Sequence, residues 1–126
     1  MADHVAVHGQ RLEYVWLGPS PAEAPTIVFL HEGLGSITQW RDFPASLCSA
    51  TGLGGLVYAR RGHGRSAPRP APHAPDFMRD EALTVLPGLL EACRVEHPML
   101  FGHSDGASIA IIATGAGRVT DRKSTR

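Results

Sequence analysis

Hydrophobic residues fall along this chain in two rhythms. Val5 and Val7 alternate with polar residues, as do Leu12, Tyr14 and Trp16, and a turn at His8-Gly9-Gln10 separates the two runs. Period two with a glycine-centred break predicts two short antiparallel strands. Thr26-Ile27-Val28-Phe29-Leu30 is continuously apolar, as is a central strand buried on both faces. A further strand is expected from Leu53 to Ala59, weakened by Gly54 and Gly55, and another over Pro98–Phe101. Between them the period lengthens. Trp40, Phe43 and Leu47 recur at helical spacing, as do Leu83, Leu86, Leu90 and Cys93.

The punctuation agrees with these elements. Gly18-Pro19-Ser20-Pro21 stops the second strand. Ser36 and Gln39 fit a capping box, Pro44 suits a first helical turn, and Gly52 suits a C-terminal cap. Asp76 can cap the next helix, which Pro87 should kink. Ala107–Ala113 is apolar on all sides, the pattern of a buried helix. The order β-β-β-α-β-α-β-α predicts an α/β protein, an antiparallel hairpin followed by parallel strands with right-handed crossovers.

Composition adds few constraints. At 126 residues, 43% hydrophobic and 19% charged, the chain is one globular domain's worth. No run reaches transmembrane length, and the first residues lack a basic-then-apolar signal segment, so no membrane partner is expected. Cys48 and Cys93 lie far apart in apolar helical stretches, which suits buried thiols in a reducing cytoplasm. No cysteine–histidine spacing suggests a metal site, and no cofactor is expected.

The formal net charge is zero, but Arg118, Arg122, Lys123 and Arg126 lie in the last segment against Asp121 alone. The body is therefore mildly acidic, which argues against a nucleic-acid partner. Residues 118–126 are polar and without periodicity. Asp121–Arg126 also reads as the translation of a common sequencing-adapter string. The expected organisation is a core over 1–117 and a disordered or artefactual tail over 118–126.

The chemistry centres on Gly102-His103-Ser104-Asp105-Gly106, between an apolar strand and an apolar helix. This fits G-x-S-x-G, a serine at the tip of a sharp strand-to-helix turn. Crowding around such a turn favours residues without side chains two positions either side of the serine. The competing reading is a glycine-rich turn with Ser104 merely capping the helix.

Two further loops follow earlier strands: His31-Glu32-Gly33-Leu34-Gly35-Ser36 and Arg61-Gly62-His63-Gly64-Arg65-Ser66. The three motifs in this order resemble the N-terminal half of the alpha/beta-hydrolase fold family, over about Val5 to Ala116. The resemblance implies that Ser104 is the nucleophile of a serine hydrolase acting on an ester, amide or carbon–carbon bond of a small molecule. It implies an oxyanion hole made by the backbone N–H of Asp105 and by Gly33, with Leu34 next. His31 would support that loop, and His63 would sit in a structural turn. The family usually has glycine where Glu32 stands, so this carboxylate is expected either to point away from the hole or to pair, with Arg60 and Arg61 as candidates.

In the family the acid and the histidine of the triad follow the serine. Here only Asp105 and Asp121 follow it, with no histidine. The resemblance therefore implies an inactive fragment with a nucleophile and no base. Two other functions compete. Gly33-x-Gly35 after a strand imitates a dinucleotide turn, with Arg60 placed to meet a 2′-phosphate, as in an NADP-binding oxidoreductase. A non-catalytic interaction module is the third.

Overall fold

A computed structural model describes residues 3–32, 35–68 and 77–117. The expected oxyanion donors Gly33 and Leu34, the Asp76 cap and the tail after Gly117 lie outside these residues. Strands β1 (Asp3–Val7) and β2 (Gln10–Leu17) form the antiparallel hairpin, with His8 and Gly9 both at positive φ, as its tight turn requires. β3 (Thr26–Leu30) and β4 (Gly54–Tyr58) pair in parallel, and β5 (Pro98–Gly102) runs parallel to β3 on its other side. The sheet order is β1-β2-β4-β3-β5. β3 and β4 are buried along their whole length, as their unbroken apolar runs require.

Two cores flank the sheet. On one face Val28, Leu30, Leu56 and Tyr58 meet Ala82, Leu86, Leu89 and Ile109 from the helices. On the other, Ile27, Phe29 and Val57 meet Cys48 of α1 (Phe43–Thr51), with Trp40 packed alongside. α1 carries Pro44 in its first turn and ends on Gly52 at φ 74°.

Three local features differ from, or add to, what the patterning leads one to expect. The capping box does not form. Thr38–Trp40 is a single 3₁₀ turn whose N-cap is Ile37, and the Ser36 hydroxyl meets the Thr38 hydroxyl instead of a main-chain N–H.

The second concerns the turn before Pro87. α2 (Phe77–Asp80) runs into a π segment, Glu81–Val85, and on into α3 (Leu86–Ala92). The Leu86 N–H donates five residues back, to Glu81. This widened turn sits where the Pro87 ring would crowd the preceding turn of an α-helix. It also inserts one residue into the helical repeat. The buried stripe is therefore Ala82, Val85, Leu86, Leu89 and Leu90, while Leu83 and Cys93 are only half-buried.

Third, α4 (Asp105–Gly115) buries Gly106, Ile109 and Ala113 but leaves Ile111 72% exposed. Its all-round apolar surface is not enclosed by the described residues. Met99 and Phe101 on β5, which pairs only with β3 among the described strands, are exposed as well.

Candidate active site

The strand β5 ends in an elbow. Gly102 closes the parallel ladder opposite Leu30, and the His103 N–H donates to the Leu30 carbonyl at 3.1 Å. The chain then reverses through Ser104, at φ 57° and ψ −117°, directly into α4. A non-glycine residue rarely adopts this backbone conformation, which costs on the order of 1–3 kcal/mol. The flanking glycines show what holds it. A Cβ on Gly102 would collide with the backbone of Gly106, and one on Gly106 would sit inside the Leu30 carbonyl. The helix start therefore rests directly on the end of β3, and only glycine fits at either position.

Ser104 is exposed. Its hydroxyl caps no helix N–H, which removes the reading of Ser104 as a mere capping residue. Past Ser104, the first bonded N–H groups are those of Gly106, to the His103 carbonyl, and Ala107, to the Ser104 carbonyl. The N–H of Asp105, the first residue of α4, has no hydrogen-bond partner among the described residues. A helix N-terminus with an uncommitted N–H beside a hydroxyl is suited to stabilising negative charge that develops there.

His31, at the end of β3, is 1% exposed. Its Nε2 accepts the main-chain N–H of Arg60 at 3.0 Å, which fixes the tautomer, so Nδ1–H donates to the Glu32 carbonyl at 2.6 Å. Burial, and secondarily the Arg60 charge, push its pKa down to about 3, so the ring is neutral. Both ring nitrogens are committed, and His31 has none left to take a proton from Ser104. His63 lies edge-on to His31, ring centroids 4.7 Å apart, in a turn where its N–H donates to the Arg60 carbonyl.

Glu32 does not pair with Arg60 or Arg61. Its carboxylate lies 3.9 Å from Nδ1 of His103, both side chains exposed, and Arg61 pairs with Asp80 at 2.6 Å. Nor does Arg60 meet a ligand phosphate or an acidic substrate: it is 3% exposed. Its guanidinium donates to the carbonyls of His31 and Glu32. Behind it the Tyr58 hydroxyl donates to Glu81 at 2.7 Å. Burial raises the pKa of both groups. Sequence patterning missed this layer, because charged residues at strand ends and in helices ordinarily face water. The one available signal is that Tyr58 and Arg60 are two apart, on one face of β4 and its continuation.

The third motif ties the loops together. Ser66 donates to the Ala59 carbonyl at 2.6 Å and accepts the N–H of Glu13 at 2.8 Å. Among the described residues, no group of three His, Cys, Asp or Glu side chains is placed to hold a metal ion.

No family model matches this sequence. Two curated relatives do: the sn-1-specific diacylglycerol lipase ABHD11 of Mus musculus, 34% identical over 72% of this chain, and that of Danio rerio, 32% identical over 71%. The matched regions are 28% and 26% of those relatives, so the chain spans about a quarter of their length. Among solved structures, a Vigna radiata epoxide hydrolase mutant superposes with a TM-score of 0.75 at 21% identity, over 97% of this chain and 36% of that one. A membrane phospholipase A described as a bacterial virulence factor gives 0.76 at 21% identity, over 90% and 34%. Epoxide hydrolase A of Mycobacterium thermoresistibile gives 0.69 at 26% identity, over 90% and 34%.

Proposed function

We propose, from the premise that this chain belongs to the alpha/beta-hydrolase fold family, that it carries the nucleophile and oxyanion hole of a serine hydrolase. The observation that carries the reading is Ser104: exposed, held at φ 57° and ψ −117°, beside the unbonded N–H of Asp105. Strain of this kind persists only where its surroundings enforce it, and here two glycines and the end of β3 do so.

In this reading the Ser104 hydroxyl attacks a carbonyl carbon. The carbonyl oxygen takes up negative charge and is held by the Asp105 N–H and by a second N–H from the loop after β3, Gly33 first and Leu34 next. The hydroxyl proton passes to a base, and collapse of the tetrahedral intermediate expels the alcohol, which takes that proton, and leaves an acyl-enzyme, which water hydrolyses. The relatives are named diacylglycerol lipases, and a lipid ester is the substrate class that name suggests for this chain. His31 supports the loop and is not the base, because its ring nitrogens are engaged. We assign the base and its orienting acid to sequence outside these 126 residues, so that the chain by itself turns over little. The separate free thiols Cys48 and Cys93 fit a reducing cytoplasm.

A fluorophosphonate probe tests this. A longer protein containing this segment is expected to label at Ser104 and to lose labelling in Ser104→Ala. The 126-residue chain is expected to label at the same residue, far more slowly. Labelling that survives Ser104→Ala in both sinks the reading.

A further inference from the structure

We propose that Arg60 is a positioning residue for the main chain leaving β3, holding the carbonyls of His31 and Glu32 so that the chain departs toward the oxyanion loop in one fixed direction before substrate arrives. Its catalytic consequence rests on the serine-hydrolase reading above. The clamp itself rests on hydrogen bonds between described residues.

An arginine at the end of a strand normally extends into water. Arg60 is 3% exposed, and burying a guanidinium is costly unless its donors are satisfied. Its donors serve His31 and Glu32. The main-chain N–H goes to Nε2 of His31, Nη1 to the His31 carbonyl, and Nη2 to the Glu32 carbonyl at 3.2 Å. No carboxylate forms an ion pair with it among the described residues, although Glu81 lies close enough for its acidity to feel the charge. The buried charge is therefore directed at backbone orientation.

The Glu32 carbonyl is the hub. It accepts from Nδ1 of His31 at 2.6 Å, from Nη2 of Arg60, and from the N–H of Gly35 at 3.1 Å. That last bond holds Gly35 to Glu32, so one oxygen gathers three donors. The planar fork of arginine reaches two successive carbonyls at once. The single ammonium of lysine does not, so lysine keeps the charge and loses the clamp. Pre-set hydrogen-bond donors help catalysis because they need no reorganisation when charge develops.

The test uses the 126-residue chain, wild type, Arg60→Lys and Arg60→Met, by NMR. In the wild type the Arg60 Nη protons are expected as separate, slowly exchanging resonances. A single averaged signal, as for a solvated arginine, overturns the proposal without any variant. In both variants hydrogen exchange at the Gly35 amide is expected to accelerate by about tenfold or more, with the Val28 and Leu56 amides unchanged. Unchanged Gly35 exchange in a folded variant overturns the clamp, and should neither variant fold, the wild-type Arg60 resonances decide alone. For the catalytic consequence, Arg60→Lys in a longer protein containing this segment is expected to slow fluorophosphonate labelling of Ser104 about tenfold at saturating probe, with half-saturation unchanged. An unchanged rate beside disturbed Gly35 exchange overturns the positioning role. Absence of wild-type labelling in a longer protein instead overturns the serine-hydrolase reading, and leaves the clamp to the exchange data.

Discussion

The main-chain N–H of Arg60 donates to Nε2 of His31 at 3.0 Å, while the guanidinium of the same Arg60 takes the His31 carbonyl. This reciprocal pair joins the ends of β3 and β4 and buries a histidine in its neutral form. A buried neutral histidine has a definite pH signature. In the unfolded chain His31 takes up a proton near pH 6.5, whereas in the fold its pKa is about 3. Between these values the unfolded chain binds more protons, so stability falls as the pH drops. The full effect is on the order of 5 kcal/mol. Glu81, raised by burial, acts in the opposite sense just above its ordinary value of 4.5. Urea midpoints of the Glu81→Gln variant, which removes that contribution, are expected to fall steadily from pH 7 to 5. A flat profile, or a His31 ring that titrates near 6.5, would contradict the locked histidine.

Strain at the elbow gives a prediction of opposite sign to the usual effect of mutation. Ser104 occupies φ 57° and ψ −117°, a conformation glycine adopts at little cost. Ser104→Gly is expected to raise the unfolding free energy by roughly 1 kcal/mol, after the extra entropy of an unfolded glycine is deducted. Ser104→Ala keeps the strain and is expected to shift stability by less than about 0.5 kcal/mol. Chemical denaturation of the two variants side by side measures the difference. Equal midpoints would mean that the elbow stores no strain.

The glycines two positions away behave in the reverse manner. A methyl group on Gly106 meets the Leu30 carbonyl, and backbone cannot rotate aside as a side chain can. Gly106→Ala is expected to cost about 3 kcal/mol or more, or to prevent folding. Gly115, at the end of the same helix, has open space around it, and Gly115→Ala is expected to stabilise by about 0.5 kcal/mol. Circular dichroism melts of both variants check the contrast.

Such contacts divide what the sequence discloses from what it hides. The hairpin and β3 were legible because their periodicity is local. The elbow was legible because its serine and glycines sit at a spacing that sterics dictate. The burial of Arg60 was not, since it depends on His31 and Glu32 presenting two carbonyls from a strand 29 residues away in sequence. The π segment escaped for a related reason. Pro87 announces a disturbance, but its position alone does not say that the turn before it widens over Glu81–Val85. Of the two readings of Glu32, an arginine partner fails because the fold turns Arg60 inward and commits Arg61 to Asp80.

The side of the sheet beyond β5 governs how the chain behaves in solution. Met99 and Phe101 are half exposed on a strand paired only with β3 among the described strands, and Ile111 on α4 is 72% exposed. An open strand edge beside apolar surface promotes association between chains. The 126-residue chain is therefore expected to form oligomers or aggregates at micromolar concentration. Met99→Lys together with Ile111→Glu places charges on the edge and on the uncovered helix face without touching the cores built on Val28 and Phe29. The double variant is expected to raise the monomer fraction in size-exclusion chromatography with light scattering, at an unfolding midpoint within about 0.5 kcal/mol of wild type. A wild-type chain that elutes as a sharp monomer would show that this surface is covered from within the chain. A double variant that unfolds would show that Met99 or Ile111 supports the core more than its exposure indicates.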